Sequence, residues 1–258
     1  MRTSNPAHVV FAVTMIVLGL LGLASGQIGD IWQPLPPTLP TRHALVYLLA
    51  LVPLAGGLGM FWRTTSATAA AILFGAFSAW LLLVRAPMFA LAPSTDLAWA
   101  ACQVAVMAAA AWMLLSSFAS HSRSGARWLS SSGVGARTAA SIYGIALAYF
   151  GAAHFIYLAR TTSMVPAYLP SPIAWAYATG LSLIAAGVAI VFGRWAKLAA
   201  ALAAIELALF TLLVWVPVVR AHPSPDDWSE FIVSWTLTAG AWVMADSLPL
   251  RAAATRRA

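Results

Sequence analysis

Six stretches of about 20 residues carry no Lys, Arg, Asp or Glu: Ala7–Ser25, His43–Trp62, Thr64–Val84, Leu97–Ala119, Thr138–Ala159 and Pro172–Gly193. A seventh, Leu198–Val219, holds only Glu206. An eighth, Trp228–Leu248, holds Glu230 and Asp246 near its ends. Each is long enough to cross the hydrocarbon of a bilayer as a helix. Backbone amides inside lipid must bond within their own segment, so these runs predict helices and not isolated strands. Their Ala-, Leu- and Gly-rich character also lacks the polar/apolar alternation of a membrane barrel. The reading is an all-α, polytopic transmembrane bundle of about eight helices.

Composition agrees. Of 258 residues, 62% are hydrophobic and 8% charged, and mean hydropathy is +0.85. Soluble domains carry about 25% charged residues, so this chain could not cover its core with a polar surface. The net charge of +7 is spread singly between apolar runs. That is the pattern of membrane-flanking charge and not of a nucleic-acid surface. The partners implied are the lipid bilayer and other membrane proteins, or further copies of the chain. One cysteine, Cys102, excludes any mechanism that needs two thiols in one subunit. The small-residue stretch after the first span admits a cleavage site, but the first run reads better as a span that stays.

Basic residues orient the spans. Arg2, Arg63, Arg123, Arg127, Arg137, Arg194, Lys197, Arg251, Arg256 and Arg257 fall on one side, against Arg42, Arg85, Arg160 and Arg220 on the other. The expectation is a cell-membrane protein with both termini cytoplasmic and with Arg85 as an outer flanking charge. The Ser- and Arg-rich stretch around residues 120–137 reads as a cytoplasmic linker. It divides a first four-helix unit, 1–119, from a second, 138–258.

The halves resemble each other under a shift of 130 residues. Pro36-Pro37-Thr38-Leu39-Pro40 falls on Pro166-Ala167-Tyr168-Leu169-Pro170, Tyr47 on Tyr177, Gly57 on Gly187, Pro87 on Pro217 and Asp96 on Asp226. Four spans return the chain to its starting side, so the units run parallel and not inverted.

Two polar residues inside spans are candidates for function, because such groups are costly in lipid. Glu206 lies near mid-membrane, where the first half has Ala76. His154 lies near the outer end of its span, where a uniform shift places Ala24. A glutamate that bonds neighbouring helices and a hydrogen-bonded core histidine are the plain structural alternatives. At 1.5 Å rise per residue, Glu206 stands roughly 12 Å and His154 roughly 25 Å from the inner ends of their helices. Direct contact is therefore not expected, and two levels are: a mid-membrane carboxyl, with Tyr149 and Ser182 near its level, and an outer polar-aromatic cluster, with Trp175, Tyr177 and Trp215 near that of His154. Tyr157, three residues after His154, shares its helix face. Tyr177 lies near the same level. Tyr168 sits in the outer loop from Arg160 to Ser171, either folded over the bundle mouth or anchored in the interface. No metal-ligand spacing and no nucleophile–base set is visible, so no metal is expected.

The residues Gly151-Ala-Ala-His154-Phe155, Met164-Val-Pro-Ala-Tyr-Leu-Pro170, Trp175-Ala-Tyr177-Ala-Thr-Gly180, Ile184-Ala-Ala-Gly187-Val-Ala-Ile190, Arg194 with Leu198-Ala-Ala, and Leu212-Leu-Val-Trp-Val-Pro217 occur in that order. Together the segment from Tyr143 to Pro217 resembles the DoxX family of small membrane proteins. The first half matches only through the repeat and lacks the Thr-Gly and the His. The resemblance implies a four-helix membrane bundle and an association with redox: the related DoxD with quinone-coupled thiosulfate oxidation, others with oxidative-stress complexes. Three functions follow as expectations. One is a non-enzymatic subunit or scaffold of a membrane redox or stress complex. Another is a quinone-linked oxidoreductase subunit, in which His154, Tyr157, Tyr168 and Tyr177 would bind quinone and Glu206 would relay protons. The third is a small-molecule or proton-coupled carrier.

Overall fold

The computed structural model describes residues 5–26, 41–119, 134–221 and 224–249. Among these residues there are nine helices and no strands. We number them α1 (Pro6–Ser25), α2 (Arg42–Gly59), α3 (Ser66–Leu91), α4 (Thr95–Ala119), α5 (Val134–Ile156), α6 (Leu158–Met164), α7 (Pro172–Val191), α8 (Ala196–Ala221) and α9 (Pro225–Ser247). Seven are long and apolar enough to cross a membrane; α9, whose first turns carry Asp227 and Glu230, is long enough but more polar. The chain is a multi-pass membrane protein.

Helices that follow one another along the chain are neighbours in space, and α9 closes the ring by packing against α1. Across the middle, α4 packs against both α5 and α9. One hydrophobic core therefore runs through both halves, with Phe11, Leu73, Met107, Tyr143, Ala203 and Met244 among its buried members. The expected linker to residue 137 is shorter than the sequence suggested. Val134 already begins α5, and Gly135 and Ala139 of its first turns are buried against neighbours. The first part of the outer loop, residues 158–164, is likewise helical as α6, which packs on α7. Pro36–Pro40 and residues 120–133 lie outside the described residues.

Helices α3 and α8 share one local device. Helix α3 contains a π turn at Leu81–Arg85 and continues to Leu91; α8 contains one at Thr211–Trp215 and continues to Ala221. All these bounds differ by 130. The cause is local: Pro87 and Pro217 each lack an amide hydrogen and press their ring on the preceding turn. One wider turn relieves the clash without breaking the helix.

The first helices pair differently. A methyl group built on Gly57 would meet the Ala12 carbonyl at 2.5 Å, and one on Gly187 would meet the Gly144 carbonyl at 2.4 Å. One on Gly19 would meet the Ala50 carbonyl at 2.7 Å, and one on Gly151 would meet the Gly180 carbonyl at 2.5 Å. These matched close approaches relate α2 to α7 by 130 but α1 to α5 by 132. The first half has two more residues between its first two helices. His154 therefore corresponds to Gly22, and not to the Ala24 that a uniform shift assigned.

Candidate functional site

Glu206 faces Ser182 across the α7–α8 contact. The Ser182 hydroxyl donates to Glu206 Oε2, and its oxygen also lies 2.9 Å from the Thr179 carbonyl. One hydroxyl hydrogen serves one acceptor at a time. With a charged carboxylate, Ser182 donates to Glu206. With a neutral carboxyl, Glu206 donates to Ser182, and Ser182 in turn donates to Thr179. The other carboxyl oxygen, Oε1, is buried with no hydrogen-bond partner. The first half has Val52 and Ala76 at the corresponding places, so it lacks this polar pair.

His154 sits on α5 against Gly180 of α7. A methyl group built on Gly180 would lie 3.0 Å from the His154 Cβ. His154 Nδ1 is 2.8 Å from the Phe150 carbonyl. A carbonyl can only accept, so Nδ1 carries the hydrogen, and Nε2 holds the lone pair of the neutral ring.

His154 and Glu206 do not share a site. Their contacts on α7, Gly180 and Ser182, are two residues apart. That is about 200° around the helix but only about 3 Å along it. The body of α7 stands between the two groups, which separates them more completely than the depth difference anticipated from the sequence.

The tyrosines disperse. Tyr157 lies beyond the end of α5 with φ −105° and ψ 38°. It therefore leaves the helical face it was expected to share with His154. Its hydroxyl meets the start of α4, bonding Asp96 and lying 2.5 Å from Thr95 Oγ1. The bond to Asp96 raises the phenol above its ordinary pKa. Tyr149 reaches the same place and donates to the Thr95 carbonyl at 2.7 Å. Tyr177 is 45% exposed and its ring lies 5.3 Å from that of Phe155. Tyr168 is 71% exposed, as an interfacial ring would be, and does not line the bundle interior.

Three features escaped the sequence reading. Arg85, expected as an outer flanking charge, lies inside α3 at the end of the π turn and is 2% exposed. The run Leu81-Leu-Leu-Val-Arg85-Ala-Pro-Met-Phe-Ala-Leu91 is apolar on both sides of it; the charge of Arg85 ended the uncharged run, although the helix continues. The Thr211 hydroxyl, at the start of the second π turn, donates to the Leu207 carbonyl at 2.8 Å and lies 2.7 Å from Ser234 Oγ and 3.4 Å from Thr238 Oγ1. All three hydroxyls are buried, whereas the first half has Leu81, Val104 and Ala108 there. Tyr143, which corresponds to Phe11 under the 132 offset, is fully buried, and its hydroxyl has no partner. These polar groups among hydrophobic neighbours become visible only when the halves are compared position by position.

Among the described residues, no group of three or more His, Cys, Asp or Glu could hold a metal ion. A family model described as a domain of unknown function (DUF8561) matches residues 143–252. That segment holds His154, Ser182, Glu206 and the Thr211 cluster. No curated protein and no solved structure matches the chain.

Proposed function

We propose that this chain is a DoxX-like, non-enzymatic subunit or scaffold of a membrane redox or stress-response complex, built by tandem duplication of a four-helix unit. The observation that carries this reading is the dispersal of the polar groups. Tyr157 is bound to the start of α4, Nδ1 of His154 to its own helix, and Glu206 to Ser182 on the far face of α7. Each bonds a different part of the bundle, and no hydrogen bond among the described residues joins one to another. The matched π turns and glycine approaches support the duplication. The end of the bundle that carries Arg63, Arg137, Arg194 and Lys197 is the cytoplasmic one by the excess of basic residues, which puts both termini in the cytoplasm and the chain in the cell membrane.

Crosslinking in native membranes, followed by purification of the tagged full chain, should recover one partner in fixed stoichiometry. Recovery of the chain alone, with bound quinone and thiosulfate- or sulfide-dependent quinone reduction, would replace this reading with the oxidoreductase one. A specific observation favours that second reading. The free Nε2 lone pair of half-buried His154 stands on the same stretch of helix as the Phe155–Tyr177 ring pair, where a quinone ring could stack.

A further inference from the structure

The turn between α7 and α8 takes a different backbone from its counterpart in the first half. Thr65, which precedes α3, has φ −110°, and its hydroxyl donates back to the Gly59 carbonyl at 2.6 Å without capping an amide of α3. The corresponding residue before α8 is Trp195. It has φ 52°, in the left-handed region, and its side chain makes no capping bond. The left-handed backbone costs free energy for any residue with a Cβ. The Trp195 side chain is 74% exposed and makes no hydrogen bond or ring contact among the described residues that would offset this. Phe192, at the other end of the turn, is 70% exposed. Between and beside them stand Arg194, exposed, and Lys197, half-buried.

The electrostatics of this end are one-sided. Asp246 is the acidic residue that the described bundle places here. Its carboxylate accepts from Asn5 Nδ2 at 2.5 Å, and its backbone carbonyl lies 3.5 Å from Lys197 Nζ. Arg63 and the exposed Trp62 lie in the matching turn of the first half, at the same end of the bundle. Two outward aromatic rings bracketing two cations suit a negatively charged headgroup layer. The rings sit among glycerol and upper acyl carbons, and the cations meet phosphate.

We propose that the Phe192–Lys197 turn is a binding site for anionic phospholipid headgroups, with Trp195 held in a strained backbone to place its indole in the interface. The site does not depend on the scaffold reading; it would anchor and orient the second half whatever the chain does.

The test uses the purified full chain in neutral detergent, offered phosphatidylglycerol or phosphatidylcholine with identical acyl chains, with retained lipid counted by native mass spectrometry. The wild-type chain should retain phosphatidylglycerol about tenfold better, given the contribution of each basic residue near an anionic surface. Arg194→Gln with Lys197→Gln should bring the ratio to within about twofold, while Arg160→Gln at the opposite end leaves it unchanged. Trp195→Gly should lower phosphatidylglycerol retention, yet keep or raise the melting temperature in lipid-free detergent, because glycine accepts the left-handed backbone. That combination separates lost binding from lost folding. Equal retention of the two lipids, an unchanged preference in the double variant, or wild-type retention by Trp195→Gly would each overturn the proposal. So would capture of an acidic peptide by this turn without any preference between the lipids.

Discussion

The Cβ of His154 packs directly over Gly180, and the first half solves the same contact the other way round. There the glycine is on the first helix, as Gly22, and the side chain on the second, as Ala50, whose Cβ would lie 2.8 Å from a methyl group built on Gly22. One position of the pair must be glycine for these helices to approach so closely. The bulky partner is free to differ, which is how a histidine came to occupy an otherwise apolar seam.

Exchanging the sizes should therefore be tolerated better than enlarging one side. Gly180→Ala places a methyl group 2.9 Å from Phe155 Cζ and 3.0 Å from both the Gly151 carbonyl and His154 Cβ. We expect it to destabilise by about 1–3 kcal/mol. Adding His154→Gly recreates the first-half arrangement, and the double variant should melt above the sum of the two single losses by about 1 kcal/mol or more. Thermal unfolding of the four proteins in one detergent checks this; additive losses would show that the two residues do not share the contact.

The seven spanning helices were legible because lipid leaves the backbone no other choice: long apolar runs with almost no charge must bond internally, as helices. Helical rise set Ser182 and Tyr149 near the level of Glu206, but it could not tell which of them meets the carboxyl: Ser182 does, and Tyr149 donates to the Thr95 carbonyl. What stayed hidden depends on distances of one or two residues. His154 was matched to Ala24 because a uniform shift cannot sense two extra residues in the first interhelical connection. Tyr157 was assigned the face of His154 by helical spacing, yet α5 ends one residue earlier and the backbone turns toward α4. Arg85 was taken as a flanking charge because it closes the uncharged run Thr64–Val84, and only the π turn reveals a helix that continues past it.

The Thr211 cluster offers a sharper comparison of the halves. Thr211→Val leaves Ser234 and Thr238 with one buried partner fewer and should cost about 1 kcal/mol, the usual scale for such bonds between membrane helices. Replacing the whole set by its first-half counterparts, Thr211→Leu with Ser234→Val and Thr238→Ala, removes every donor and acceptor together. That triple change should be nearly neutral, because an apolar contact leaves no polar group stranded. A triple variant that melts lower than the sum of its single changes would mean that the hydroxyls hold the π turn itself.

For Glu206 the expected result is a conditional one. Ser182→Ala removes the one hydrogen-bond partner that the carboxyl group has among the described residues, and its other oxygen is already buried without one. It should cost about 1–3 kcal/mol. In a Glu206→Leu background the same Ser182→Ala change should cost almost nothing. Glu206→Gln keeps both an acceptor and a donor facing Ser182 and should stay within about 1 kcal/mol of wild type. If Ser182→Ala were equally harmful in both backgrounds, the serine would matter through its own bond to the Thr179 carbonyl and not through Glu206.

Glycine substitutions should separate into two classes according to what a methyl group meets. On Gly187 it lies 2.4 Å from the Gly144 carbonyl oxygen and 2.8 Å from the Ala148 amide, both backbone atoms that move only with their helix. Gly187→Ala must push α5 and α7 apart, at an expected cost of about 3 kcal/mol. Gly57→Ala should behave alike, since it meets the Ala12 carbonyl at 2.5 Å and the Ile16 amide at 2.9 Å. A methyl group on Gly75 meets nothing within 4 Å. Gly75→Ala should therefore gain the ordinary helix preference for alanine, about 0.5–1 kcal/mol. Unfolding temperatures of the three variants would test this order directly. A Gly187→Ala protein as stable as wild type would mean that the α5–α7 seam is looser than its close backbone approach implies.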